Sequence, residues 1–436
     1  MRRQYRQATE SDMNCIAATK IQLLLIAGLA LLVSDTAIAA ESNSPPSANE
    51  RTYVVDYRIT PDVSRSGAYV ELKLAQNRRL LRELSMPNNP EVISDIEGDG
   101  DLAIDDERIR WRPEDEGGRL SWFAKVNHLR NGDGYDAFVG DEWALFRAED
   151  VIPPTATRAL SRSSSKTRLT FNLPNGWTAV SEYFQRSGVH DVSIPDRRFD
   201  KPRGWIVLGH LGVRNETIAG VRVVVAAPVG HSVRRMDVLA MFNWTIPDLL
   251  RLLPRFPKRL TVVSAGEPMW RGALSAPRSF YVHVDRPLIS ENGTSTFMHE
   301  AVHIGLGVDA VEGADWIVEG LAEYYGLEIL RRSGTISEKR YRSARSRMAN
   351  WGEKAQSLCA DPSTGEVTAR AVSLLAELND EIRKNSDRQF DLDDVVQRIA
   401  NFPDKISRQK LFDVTKDLTG SDSEVLSDKS LNNCEN

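Results

Sequence analysis

The segment His299-Glu300-Ala301-Val302-His303 constrains this chain more than any other. Residues four apart share one face of an α-helix, so a helix here sets both imidazoles side by side with Glu300 next to them. Two imidazoles and a neighbouring carboxylate supply donors and a general base for a hydrolytic Zn2+ centre. The same five residues also arise on ordinary helices whose imidazoles face a polar core, so the flanking sequence has to separate the two readings.

Upstream, Asn292-Gly293-Thr294-Ser295-Thr296 offers a turn followed by N-cap hydroxyls, which predicts a helix starting near Thr296. Gly305 and Gly307 loosen its end. A short loop leads to Asp315, after which apolar residues at 317, 318, 321, 322, 325 and 329 predict a second amphipathic helix. A catalytic zinc takes three protein ligands and keeps one position open. Glu319 is the expected third ligand, and Glu323, one turn on, is expected to orient a histidine through its other ring nitrogen. The exchanged assignment, with Glu323 as the ligand, stays open on sequence alone.

With Trp316-x-x-Glu319-Gly320-x-Ala322-x-Tyr324 behind the histidine pair, the region resembles the gluzincin metallopeptidases, above all the alanyl-aminopeptidase and glycyl-aminopeptidase families. There a Trp-x-x-Glu-Gly-Phe segment brings the third ligand. Leu321 stands where those families have the Phe, and the gap from His303 to Glu319 is shorter than in the alanyl group. Two more segments are similar to the glycyl group: Leu169 to Trp177, with its Pro174-Asn175-Gly176-Trp177 turn, and Thr368 to Arg383 followed by Asp391-Leu392-Asp393-Asp394-Val395. The resemblance implies an α+β fold: a β-rich N-terminal region, a thermolysin-like gluzincin catalytic domain with Zn2+, and C-terminal helices.

Two departures bear on activity. The families' Gly-x-Met-Glu-type strand, whose carboxylate grips the substrate's amino terminus, falls on Gly272-Ala273-Leu274-Ser275. Gly272, Ala273 and Ser275, with Tyr324, are the expected substrate contacts, but a neutral hydroxyl cannot pair with an ammonium ion as a carboxylate does. The families' Tyr-x-Lys-Gly, which donates to the oxyanion, falls on Thr368-Ala369-Arg370-Ala371. Losing one oxyanion donor typically costs on the order of a hundredfold or more in rate. Tyr341 is a candidate substitute phenol, and His283 is expected on a strand beside the cleft. The expected function is therefore a zinc-dependent metallopeptidase with Glu300 as general base. A catalytically weakened or inactive zinc-containing peptide-binding protein, an aminopeptidase whose amine anchor is another acid such as Glu267 or Glu323, and a non-peptide hydrolase are the alternatives.

Arg2, Arg3, Arg6 and Lys20 precede an apolar run from Ile21 to Val33, and Ala37-Ile38-Ala39 is a small-x-small cleavage site. Residues 1–40 are thus expected to be an export signal, with Met13 as a second possible start, leading to the periplasm or beyond the cell. The run is short for a membrane span, which needs about 20 residues, so membrane contact is expected only through an uncleaved signal. Residues 41–50 are expected to be a disordered lead-in. Cys15 leaves with the signal, while Cys359 and Cys434 can form one disulfide or stay free thiols.

Charged residues make up 27% of the chain and the net charge is −5, which gives no basic footprint for nucleic acid and leaves a peptide or protein substrate as the expected partner. Periodicity divides the rest into a β-sandwich-like region over 51–232, a gluzincin-like peptidase domain over 233–425 and a polar tail over 426–436. Met236 to Leu253 reads as a helix that Pro247 kinks or splits.

Overall fold

From Tyr53 every second residue is apolar, and Tyr53, Val55, Tyr57 and Ile59 are all buried, so one face of the first strand lies on a core. The same alternation recurs at Gly67–Ala75 and Ser164–Phe171. The computed structural model describes residues 51–427 and 431, apart from 131, 133, 195, 196, 401 and 403. The expected signal, the lead-in, most of the polar tail and Cys434 lie outside the described residues. Cys359 is disulfide-bonded.

The β-rich region comprises β1 (Thr52–Asp62), β2 (Gly67–Ala75), β3 (Leu81–Pro87), β4 (Ile93–Gly98), β5 (Asp101–Ile104), β6 (Arg108–Arg112), β7 (Gly117–Lys125), β8 (His128–Leu129), β9 (Tyr135–Val139), β10 (Trp143–Arg147), a single turn α1 (Ala148–Val151), β11 (Ala156–Ala159), β12 (Ser164–Phe171), β13 (Thr178–Val180), β14 (Gln185–Arg186), β15 (Val189–Asp191) and β16 (Trp205–Gly209). They form sheets of seven, five and four strands. One core draws on all three, with Tyr57, Leu84, Trp111, Trp122, Phe146 and Leu208 among its residues.

A mixed sheet follows, built from β17 (Leu211–Ile218), β18 (Val221–Pro228), β19 (Arg259–Ala265), β20 (Ala273–Ala276) and β21 (Ser279–His283) in the order β17-β18-β19-β21-β20. β18, β19 and β21 are parallel, whereas β17 and β20 run antiparallel to their neighbours. Parallel neighbours need a crossover, which α2 (Arg235–Leu252) supplies between β18 and β19. Sheet membership changes after β16, at His210; a valine-rich run reads as a buried strand of any sheet, and only pairing assigns it. α2 also runs unbroken through Pro247. That proline and Asn243, whose carbonyl loses its donor, both lie on the exposed face, where water can replace the missing bond.

The remaining helices are α3 (Thr296–Leu306), α4 (Asp315–Arg332), α5 (Glu338–Gly352), α6 (Glu366–Asn385), α7 (Leu392–Ile399) and α8 (Arg408–Thr419). α3 packs on β20, β21 and α4, and α4 in turn packs on α6. Among the described residues no helix is long and apolar enough to cross a membrane. The second core joins these helices to one face of the mixed sheet through Phe280, Val282, Met298, Val302, Trp316 and Leu375. The opposite face meets the β-rich region through Trp143, Trp205, Val263 and Tyr281.

β20 is the open edge of the mixed sheet, and its register fixes what it presents there. The His283 N–H donates to the Gly272 carbonyl (2.9 Å), so these two face each other as a bonded pair. Bonded and non-bonded pairs alternate in an antiparallel ladder, so Leu274 turns its backbone groups toward Tyr281 while Ala273 and Ser275 turn theirs outward. Gly272 begins this strand because any Cβ there would overlap the Trp270 ring. Gly272→Ala is expected to cost about 1–3 kcal/mol through overpacking, seen as a lowered Tm; an unchanged Tm would count against this packing.

Candidate metal centre

α3 begins where the sequence supplies a cap: the Ser295 hydroxyl accepts from the Met298 N–H (3.3 Å). It ends at Gly307, in the left-handed region at φ 61°, which suits glycine. Between these ends His299 and His303 stand one turn apart, with their Nε2 atoms 3.0 Å from each other. α4 lays Glu319 across both, Oε2 at 3.3 Å from His299 Nε2 and Oε1 at 3.3 Å from His303 Nε2. α4 comes this close because Gly326 lies against the backbone of His299, where a Cβ would sit 3.3 Å from the amide nitrogen.

These separations can be tested against zinc. A tetrahedral ion with bonds of about 2.0–2.1 Å holds its ligand atoms about 3.3 Å apart; the two imidazole Nε2 atoms lie 3.0 Å from each other, and each lies 3.3 Å from one oxygen of the Glu319 carboxylate. Among the described residues, His299, His303 and Glu319 are also the one group of histidines and acids whose donor atoms converge in this way. Glu323 lies elsewhere, with Oε2 3.0 Å from His299 Nδ1. A carboxylate accepting from Nδ1–H leaves the Nε2 lone pair facing the other donors.

The electrostatics point the same way. Glu300, Glu319 and Glu323 surround two imidazoles, an excess of negative charge that favours a bound cation. Burial opposes charge on Glu319, yet the hydrogen bonds from His299 and His303 hold its carboxyl well below the usual carboxylate range. Burial likewise works against a charged His299, but Glu319 and Glu323 raise its pKa well above the ordinary value. Glu300 is 7% exposed. Burial raises its pKa, while the neighbouring His299, His303 and Ser275 side chains oppose that.

The other expected residues divide. Ala273 and Ser275 belong to the edge strand, Gly272 immediately precedes it, and Ser275 is near enough to Glu300 to favour its charged form. Tyr324, expected to touch substrate, is instead packed among the helices: it is 7% exposed, its ring meets Tyr325 edge-on at 5.0 Å, and Arg345 covers it. Its helical position turns it away from Glu323 by roughly 100°. The Tyr341 phenol accepts from Arg345 (3.3 Å) under the Arg331 guanidinium, which ties it into a charged cluster. The Thr368 hydroxyl pairs with Ser363 (3.2 Å). His283 ends β21, buried, with Nδ1 accepting from the Asp285 N–H (3.2 Å). Sequence reasoning missed Gly326, although a glycine inside a helical run is a signal of close approach.

A β-rich region followed by a mixed sheet and helices is a fold that this chain shares with solved M1 zinc metallopeptidases. An aminopeptidase N family protein from Idiomarina loihiensis superposes with a TM-score of 0.58 at 16% identity, over 86% of this chain and 77% of that one. An M1 zinc metallopeptidase from Deinococcus radiodurans gives 0.57 at 13% identity over 87% and 91%. A mutant of it bound to a Tyr-Ser-Ala substrate gives 0.58 at 14% over 87% and 92%. No protein-family model matches the chain, and no curated protein matches it in sequence.

Two outcomes are expected from substitution at the donors. His303→Ala should abolish stoichiometric zinc uptake, measured by metal analysis after dialysis. Glu319→Ala should weaken zinc more than Glu323→Ala, since loss of an orienting partner typically costs only about 10–100-fold; the opposite order in a chelator competition would make Glu323 the ligand.

Proposed function

We propose that this protein is an exported, Zn2+-dependent metallopeptidase with a thermolysin-like catalytic domain, in which His299, His303 and Glu319 hold the metal and Glu300 is the general base. The observation that carries the reading is the convergence of the His299 and His303 Nε2 atoms, 3.0 Å apart, with the Glu319 carboxylate 3.3 Å from each, beside a buried Glu300. Zinc bound there would polarise the substrate carbonyl and acidify a water. Glu300 takes the proton from the attacking water and returns it to the leaving amine. Ala273 and Ser275, whose backbone groups face the open edge, receive an extended peptide as an added strand. Ser275 orients Glu300 from the same strand.

The substrate's amino terminus finds no free acid at the positions considered for it. Ser275 is neutral, Glu323 is engaged with His299, and Glu267 accepts from Arg271 at 3.0 and 2.7 Å. The reading is therefore a peptidase indifferent to the free amine. A charge-assisted hydrogen bond to a buried carboxylate contributes roughly 1.5–3 kcal/mol, so an enzyme using one prefers the free amine by about tenfold to over a hundredfold. N-acetylated and free peptides are expected to give similar kcat/KM values here; a preference of that size would restore the aminopeptidase reading.

Glu300→Gln is expected to keep zinc bound and abolish hydrolysis of a peptide library. The placement of Thr368 and Tyr341 away from an evident oxyanion role favours one rival, a zinc-containing peptide-binding protein. Equal turnover by wild type and Glu300→Gln would move the assignment to it. Export rests on the sequence of residues 1–40, and a mature amino terminus near residue 40 in the periplasmic or extracellular fraction is the outcome that supports it.

A further inference from the structure

Arg278 forms the turn between β20 and β21 with φ at 57°, the left-handed region that favours glycine. A side chain kept at such a position calls for a use. Its Nε and Nη2 donate to Glu182 Oε1 at 3.1 and 2.6 Å, and the Glu182 side chain is fully buried within the β-rich region. The guanidinium also lies over the Tyr183 ring at 4.9 Å. Gly204 leaves the space that Glu182 fills, since a Cβ there would overlap its carboxylate.

Trp205, the next residue, ties down both strands of the same hairpin. Its N–H donates to the Ser279 hydroxyl (2.9 Å) on β21, and its indole N–H donates to the Leu274 carbonyl (2.8 Å) on β20. Leu274 precedes Ser275 on β20, and β20 packs against α3, which carries Glu300. Polar contacts thus run from the β-rich region into the hairpin that lies on the helix of the proposed general base.

We propose that Glu182 and Arg278 are positioning residues: the ion pair between buried Glu182 and half-exposed Arg278, with Trp205, sets the edge strand β20 against the helix of Glu300 and against an extended substrate. The inference deepens the peptidase reading above and rests on it. A buried pair broken on one side leaves an uncompensated charge, so the single variants can fail for stability alone. The double variant Glu182→Gln/Arg278→Gly removes both charges and gives the turn the residue its backbone favours.

The test measures zinc content, Tm, hydrogen exchange over residues 273–283 and peptide kcat/KM on the wild type, the double variant and Arg278→Lys. Expected for the double variant are retained zinc and cooperative unfolding, faster exchange confined to the hairpin, and kcat/KM lowered on the order of tenfold to a hundredfold by misplacement. Arg278→Lys, which keeps the charge without the forked geometry, should recover part of the loss. Unchanged exchange in the hairpin, or a loosened hairpin with wild-type kcat/KM, would overturn the proposal. Peptide turnover that does not differ between wild type and Glu300→Gln would instead overturn the peptidase reading, and the exchange measurement would still decide whether the pair holds the strand.

Discussion

Two imidazole nitrogens held 3.0 Å apart are the constraint around which the helical half of this molecule is arranged. Two ring nitrogens at this distance need a shared proton or a cation between them. The i, i+4 spacing on α3 creates the demand, and everything nearby answers it with oxygen. Glu319 spans both nitrogens, Glu323 takes the far side of His299, and Glu300 waits beside them in a buried position. That requires α4 to run close to α3, hence Gly326 against the backbone of His299, and α6 to run close to α4, hence Gly320 against Ala371 and Leu375.

The parts of this arrangement set by local chemistry were legible in the sequence. Ser295 caps α3, apolar spacing marks α4, and the Asp391 side chain caps α7 by accepting from the Asp393 N–H (2.9 Å). What depends on partners distant in the chain was not. β17 escaped notice because Arg214, Asn215, Glu216 and Thr217 are all exposed, so the strand lacks the alternation that reports a buried face. β18 was visible as a strand, but nothing in its valines says that it joins β19 rather than the sheets before it. Glu182 and Arg278 are 96 residues apart, and each alone reads as a solvated charge.

The candidate site shows the same division at finer scale. The identities of Ser275 and Thr368 were plain departures from the families' pattern, yet the packing of β20 on α3 and the pairing of Thr368 with Ser363 follow only from tertiary placement. Tyr324 was misassigned because a one-residue step along a helix changes its face, and an aromatic next to a proposed orienting carboxylate in sequence is not next to it in space.

β1 lies parallel to β12, with Thr52 opposite Ser164, a separation of 112 residues, and antiparallel to β2 on its other side. The hairpin with β2 can form as soon as both strands exist, but the other edge of β1 stays bare until the chain has reached Phe171. Loop closure over that length makes the parallel pairing a slow step. During that interval the growing chain displays an unpaired strand bearing Tyr53, Val55, Tyr57 and Ile59, the kind of edge on which chains aggregate. The β-rich region therefore depends on protection in time as well as on its final contacts, and its yield is governed by how quickly β12 arrives.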